Sequence, residues 1–238
     1  MFDFTGRVVV VTGAAGNLGT VVARAFRQAG ARLVLFDHAL DRLQRLFPEL
    51  AGSSEHYLAA GVDLTDASAV MTIAGEVTSR LGRIDALINT VGGYRGGIPL
   101  AEMRIDDWDF MQTMNARTTF IATRAFAPQM LRQGSGHIVN VASRAALAGE
   151  AGASAYSAAK SAVVRLTESL SAELKHDGIN VNCVLPGLLN TPQNREALPD
   201  LDQRAWVDPE MVADVILFLA SAHARGIHGA AIPVFGQG

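Results

Sequence analysis

One cysteine, Cys183, is present in 238 residues. A lone thiol makes no internal disulfide and leaves too few sulfur ligands for a structural zinc site. A reducing, cytoplasmic setting is therefore expected. Neither sign of charge is in surplus, with 20 Lys and Arg against 23 Asp and Glu and a net charge of −3. Nothing there asks for nucleic acid or an anionic membrane. Long apolar runs are missing as well. Val8–Ala23 carries no charge, but Gly13, Gly16, Asn17 and Gly19 break it. It is also shorter than the roughly 20 residues of a membrane span. Arg7 ahead of this run imitates a signal peptide, but a buried strand followed by a helix is the better reading. The scarcest side chains are lysine, with 2 copies against 18 arginines, and tyrosine, with 3.

What is present is apolar. At 49% hydrophobic residues the chain can bury a sizeable core, and its length suits one domain over residues 1–238. Short Val-, Ile- and Leu-rich runs recur at Arg7–Thr12, Arg32–Phe36, His56–Val62, Ile84–Asn89, His137–Ala142, Ile179–Leu185 and Ala230–Phe235. They read as strands of a sheet covered on both faces. Between them, Asn17–Ala29, Ala67–Leu81, Asp106–Arg132, Ser154–Lys175 and Pro209–Ala222 carry apolar residues at helical spacing. The alternation predicts an α/β fold, a doubly wound sheet of about seven mainly parallel strands with helices on both faces.

The first strand runs into Thr12-Gly13-Ala14-Ala15-Gly16-Asn17-Leu18-Gly19 before a helix begins. Glycines allow a tight turn and close approach of backbone to a pyrophosphate, and the helix N-terminus offers it free N–H groups. The second strand ends at Asp37, 24 positions after Gly13. A carboxylate there can accept from both hydroxyls of an adenosine ribose and would repel a 2′-phosphate. With no Arg or Lys at Ala14, Ala15 or His38 to offset that repulsion, NAD(H) is preferred and NADP(H) disfavoured. Asp37 can equally cap a helix starting near Ala39.

Tyr156 and Lys160 are four apart on a predicted helix, so they share a face. In a chain with 3 Tyr and 2 Lys, about 0.03 such pairs arise by chance. An ammonium beside a phenol stabilises the phenolate and is expected to lower the tyrosine pKa, which makes a proton donor and acceptor near neutral pH. Ser143, 13 residues earlier, follows the fifth strand and could hold a carbonyl oxygen beside the Tyr156 hydroxyl.

These pieces, in this order, resemble the short-chain dehydrogenase/reductase family over essentially the whole chain, which implies a Rossmann-like fold. The turn at 12–19 is similar to the family's cofactor turn. Asp63-Leu64 resembles its adenine contact, and Asn89 and Gly92 its segment after the fourth strand. Pro186-Gly187-Leu188-Leu189-Asn190-Thr191 resembles the stretch that holds the nicotinamide carboxamide. The resemblance implies Asn115, Ser143, Tyr156 and Lys160 as the catalytic set. Hydride would pass between nicotinamide and a substrate carbon, and Tyr156 would move the proton. Lys160 would also bond the nicotinamide ribose, and Asn115 would hold a water linking Lys160 to solvent. It further implies a homo-oligomer, a dimer or tetramer, built on the helices at 106–132 and 154–175.

Departures from the pattern carry their own expectations. Asn17 stands where the family's turn has glycine; Asn tolerates positive φ best among the other residues, which would keep the turn. The loop 191–206 (TPQNREALPDLDQRAW) with 92–97 (GGYRGG) is similar to dihydropteridine reductase, a branch that lacks the catalytic serine. An NADH-dependent pterin reductase is thus one alternative, and a non-catalytic NAD-binding sensor another. Tyr94 and Trp206 are candidate substrate walls, although Trp206 could instead pack the loop onto the domain. Arg95 and Arg195 could attract an acidic substrate or simply be solvated. The histidines show no metal-ligand spacing, so no metal is assigned, and Cys183 reads as inert core.

Overall fold

The computed structural model describes residues 2–236. Seven parallel strands, β1 (Val8–Thr12), β2 (Arg32–Asp37), β3 (Tyr57–Ala60), β4 (Ala86–Asn89), β5 (Gly136–Val141), β6 (Ile179–Pro186) and β7 (Ala231–Val234), form one sheet in the order β3-β2-β1-β4-β5-β6-β7. The chain winds outward from β1 in one direction, then returns to start again at β4. That reversal opens a crevice beyond the C-terminal ends of β1 and β4.

Alternate strand residues serve opposite faces. Val9, Val11, Leu33 and Leu35 pack with α1 (Asn17–Gln28) and α8 (Pro209–Leu219) through Val22, Phe26, Val212 and Ile216. Val8, Val10, Val34 and Phe36 pack with α3 (Ala67–Leu81) and α5 (Thr118–Gln133) through Val70, Val77 and Phe126. Phe26, Phe36 and Phe126 are fully buried, each stabilising the fold by about 2–3 kcal/mol.

Local signals set the element ends. Asp66 accepts from the Ser68 and Ala69 N–H groups to start α3, and Gly82 at φ 78° ends it. The expected helix 106–132 is α4 (Ile105–Gln112), a π turn (Thr113–Arg117) and α5 in succession. β3 is shorter than the run 56–62 because it is an edge strand with one neighbour; His56 instead accepts from the Leu33 N–H at 2.9 Å. The helix expected near Ala39 is the short α2 (Arg42–Leu46), and the short α7 (Pro192–Ala197) was not read from the sequence. The helix after β2 thus begins three residues beyond Ala39. The long helix α6 (Ser154–Leu174) completes the set and packs against β6 and α4.

The register places Thr12, Asn89, Asn140 and Cys183 in one row across β1, β4, β5 and β6. Asn89 donates to Asn140 Oδ1 at 2.9 Å and to Thr123 Oγ1 at 3.2 Å. Asn140 in turn donates to Thr167 Oγ1 on α6 at 2.9 Å. This buried polar chain ties the strands to α5 and α6 just beneath the crevice. No helix among the described residues is long and apolar enough to cross a membrane.

Candidate active site

At the nucleotide end, Gly13 takes φ 65°, and a Cβ there would lie 2.9 Å from Val91 Cγ2. Gly19 sits so close to the Gly13 carbonyl that any Cβ would overlap it. α1 begins at Asn17 with no side-chain cap and no acidic residue in its first turn, so its leading N–H groups stay open to an anion. Among the described residues no position other than glycine has positive φ. Asn17 therefore keeps the turn as an ordinary first helical residue, which corrects the expectation that it would need positive φ. Its amide instead reaches Gln193 Oε1 on α7 at 3.4 Å.

Asp37 is buried at the end of β2. It accepts from the Ala15 N–H at 3.1 Å and the Ala39 N–H at 3.0 Å. It thus helps shape the turn. Arg42 was missed by the sequence reading. From α2 it donates to the Ala15 carbonyl at 2.6 Å and, with Arg45, borders a cavity of about 350 Å³ beside Gly16, Asn17 and Thr20. The charge was visible in the sequence, but the helix that aims it was expected to start near Ala39, three residues early. Asp63 and the buried Leu64 follow β3, next to the end of β2; Asp63 accepts from the Thr65 N–H at 2.8 Å.

At the chemistry end, Ser143 stands just past β5 and Tyr156 and Lys160 lie on the first turns of α6. Ser143 Oγ accepts from the Ala145 N–H at 3.2 Å, and its own O–H is directed to the Tyr156 phenol. Lys160 is buried and donates to the Val141 carbonyl at 2.9 Å; its Nζ is 5.9 Å from the Tyr156 ring centroid. Burial pushes the ammonium down to about 8. The expected fall in the tyrosine pKa is not what this structure has. Burial raises the Tyr156 phenol, and hydrogen bonding to Ser143 only partly offsets that. The charge of Lys160 is directed at a backbone carbonyl, where the spacing argument had placed it on the phenol.

Asn115 is fully buried on the π turn, where the altered hydrogen-bond phase re-aims a side chain. Its amide donates to the Gly93 carbonyl at 3.0 Å and the Met111 carbonyl at 2.9 Å, while its Oδ1 accepts from the Gly93 N–H at 3.3 Å. A Cβ on Gly92 would come within 2.9 Å of Asn115 Oδ1 and 3.1 Å of Lys160 Nζ. Glycine at 92 is what lets these two side chains meet the loop after β4.

Pro186 ends β6, and the Gly187 N–H donates to the Val234 carbonyl at 3.0 Å. Leu189 bridges to Val207, and Thr191 caps α7 by accepting from the Asn194 N–H at 3.2 Å. Trp206 lies at the base of this loop and is only 7% exposed, which leaves little ring surface for a substrate. Packing is the role this placement supports. Tyr94, by contrast, is 64% exposed and meets the Tyr156 ring edge to face, with centroids 4.9 Å apart. Arg95 and Arg195 are committed, to Asp107 at 2.8 Å and to Asn190 at 2.7 Å. No cluster of three or more His, Cys, Asp or Glu able to hold a metal occurs among the described residues.

Residues 7–202 match the family model described as short chain dehydrogenase. Meso-2,3-butanediol dehydrogenase from Serratia marcescens is 36% identical over 241 residues, which cover 98% of this chain and 94% of that protein. The 3-oxoacyl-acyl-carrier-protein reductase FabG from Thermotoga maritima is 33% identical over 243 residues, covering 97% of each. Among solved structures, one described as ribose-5-phosphate isomerase from Brucella melitensis 16M superposes with a TM-score of 0.90 at 29% identity. The match covers 99% of this chain and 93% of that one.

Proposed function

The chain belongs to the short-chain dehydrogenase family, and from that footing we propose that it interconverts a carbonyl and a secondary alcohol with NAD(H), using Tyr156 as general acid and base. The observation that carries this reading is the grouping of Ser143, Tyr156 and Lys160 at the mouth of β5 and α6, against a loop clamped by Asn115. The butanediol dehydrogenase and the oxoacyl reductase are both named for carbonyl–alcohol chemistry. The isomerase name of the solved structure does not account for a Ser–Tyr–Lys set, and that activity is not carried over.

The cofactor residues fit a dinucleotide. The open N-terminus of α1 with Gly13, Asn17, Leu18 and Gly19 suits a pyrophosphate. Asp37, Asp63 and Leu64 would border the adenosine, while Asn89, Gly92, Pro186, Gly187, Leu189 and Thr191 would border the nicotinamide. When bound, the nicotinamide supplies or accepts the hydride. With a substrate carbonyl in place, Ser143 and Tyr156 would both donate to its oxygen and stabilise charge developing there. The raised pKa of Tyr156 keeps its proton in place near neutral pH, as donation to a carbonyl requires. One proton of the Lys160 ammonium goes to Val141, leaving the others for a ribose hydroxyl.

Ser143 argues against the pterin reductase reading, since a serine holding a carbonyl oxygen serves a ketone. A sensor would need no proton donor at all. We further read residues 1–238 as one domain that assembles with copies of itself, α4 and α5 offering exposed Ile105, Trp108 and Phe120 for the contact. NADH oxidation with a panel of ketones, aldehydes and quinonoid dihydropterin tests the activity. Turnover of ketones is expected, and turnover of the pterin alone would overturn the reading.

A further inference from the structure

The loop after β4 is pinned at alternate residues. Gly93 is held on both its N–H and its carbonyl by Asn115. Arg95 lies over the Phe110 ring, 3.7 Å from its centroid, and bonds Asp107 at 2.8 Å. The Gly97 N–H donates to the Gly152 carbonyl at 3.0 Å. Tyr94 stands between these pins, edge to face with Tyr156 at an interplanar angle of 87°. A Cβ on Gly96 would overlap the Tyr94 phenol, so glycine at 96 lets the ring fold back over the loop.

Tyr94 is thus oriented by its neighbours, yet most of its surface faces solvent. A fixed ring with a bare π surface beside a reacting hydroxyl is suited to receive another ring. Leu147, 59% exposed, lies in the loop after β5, and exposed Leu198 lies in the loop after β6. Arg95, the one cation of the 92–97 segment, is already neutralised by Asp107. The 92–97 segment is therefore aromatic at Tyr94 and carries no unpaired charge of its own.

We propose that Tyr94 determines specificity by stacking on the substrate, so that the preferred substrate is a ketone or alcohol carrying an aryl group next to the reacting carbon. The proposal rests on the carbonyl–alcohol reading above and adds no chemical step to it.

The test compares acetophenone with cyclohexyl methyl ketone, which match in size and differ in aromaticity, in the full chain and its Tyr94→Phe and Tyr94→Leu variants. The aryl-to-alkyl ratio of kcat/KM should fall roughly 2- to 12-fold in Tyr94→Leu and hold in Tyr94→Phe, the range expected for an aromatic pair. An unchanged ratio would overturn the proposal. So would an equal loss on both ketones, which would mean that Tyr94 only supports Tyr156. Binding of the two ketones to NAD+-loaded protein, read by saturation-transfer NMR, separates the two readings because no reaction can occur. An acetophenone preference that disappears in Tyr94→Leu supports the wall even if NADH turnover is absent, in which case only the activity is overturned. Equal binding of both ketones to the unaltered protein overturns the wall.

Discussion

The Lys160 ammonium lies 2.9 Å from the Val141 carbonyl and donates to it, tying the helix that carries Tyr156 to the strand that leads to Ser143. The side chain is buried, and its pKa falls from 10.5 to about 8. Below pH 8 the lysine is charged in both the folded and the unfolded chain, and the folded state bears the full cost of desolvation. Between about 8 and 10.5 the unfolded chain binds more protons, so folding stability rises with pH through that window.

Replacing Lys160 by methionine removes this dependence. Lys160→Met should therefore be more stable than the unaltered protein at pH 7, with the gap shrinking by about 3 kcal/mol between pH 8 and 10.5. Denaturant unfolding of both proteins at pH 7, 9 and 10.5 checks it. A gap that stays constant with pH would contradict the buried-ammonium account.

Asp37 and Arg42 bring opposite charges to Ala15. The carboxylate accepts from Ala15 and Ala39, and the guanidinium donates to the Ala15 carbonyl. Asp37→Ala should narrow the preference for NAD over NADP in kcat/KM by about 5- to 30-fold, since a charge repulsion worth 1–2 kcal/mol is lost. Adding Arg42→Ala should reverse part of the gain for NADP. An unchanged NAD-to-NADP ratio in Asp37→Ala would remove Asp37 from cofactor selection.

Phe120 is exposed on α5, and Ile105 and Trp108 on α4. A charge in such an apolar contact is left unpaired. Sedimentation at micromolar concentration should find a dimer or tetramer for the unaltered chain and a monomer for Phe120→Glu. A monomer in both cases would refute assembly through this face.

Much of this architecture could be read from residue patterns. Val8–Thr12 is buried along its whole length, so it reads as a plain apolar run. α3 matched its predicted bounds because Asp66 starts it and Gly82 stops it. Features that depend on tertiary contact were not legible. α7 spans six residues, too few to show a period, and α2 was expected three residues earlier than it begins. The π turn under Asn115 is a shift of hydrogen-bond phase that leaves no mark on composition. The spacing of Tyr156 and Lys160 put them on one face, but it could not reveal that Val141 would take the ammonium or that burial would raise the phenol. The row Thr12–Asn89–Asn140 exists only through strand register.

The central claim is that Tyr156 moves the proton. Tyr156→Phe deletes one oxygen and keeps the ring against Tyr94, so the site should remain assembled. Turnover of a ketone by NADH is the direct measurement, with NADH binding followed by fluorescence in the same samples. The account predicts a loss of about 100-fold or more in kcat with NADH affinity nearly unchanged. Turnover equal to that of the unaltered protein would contradict it.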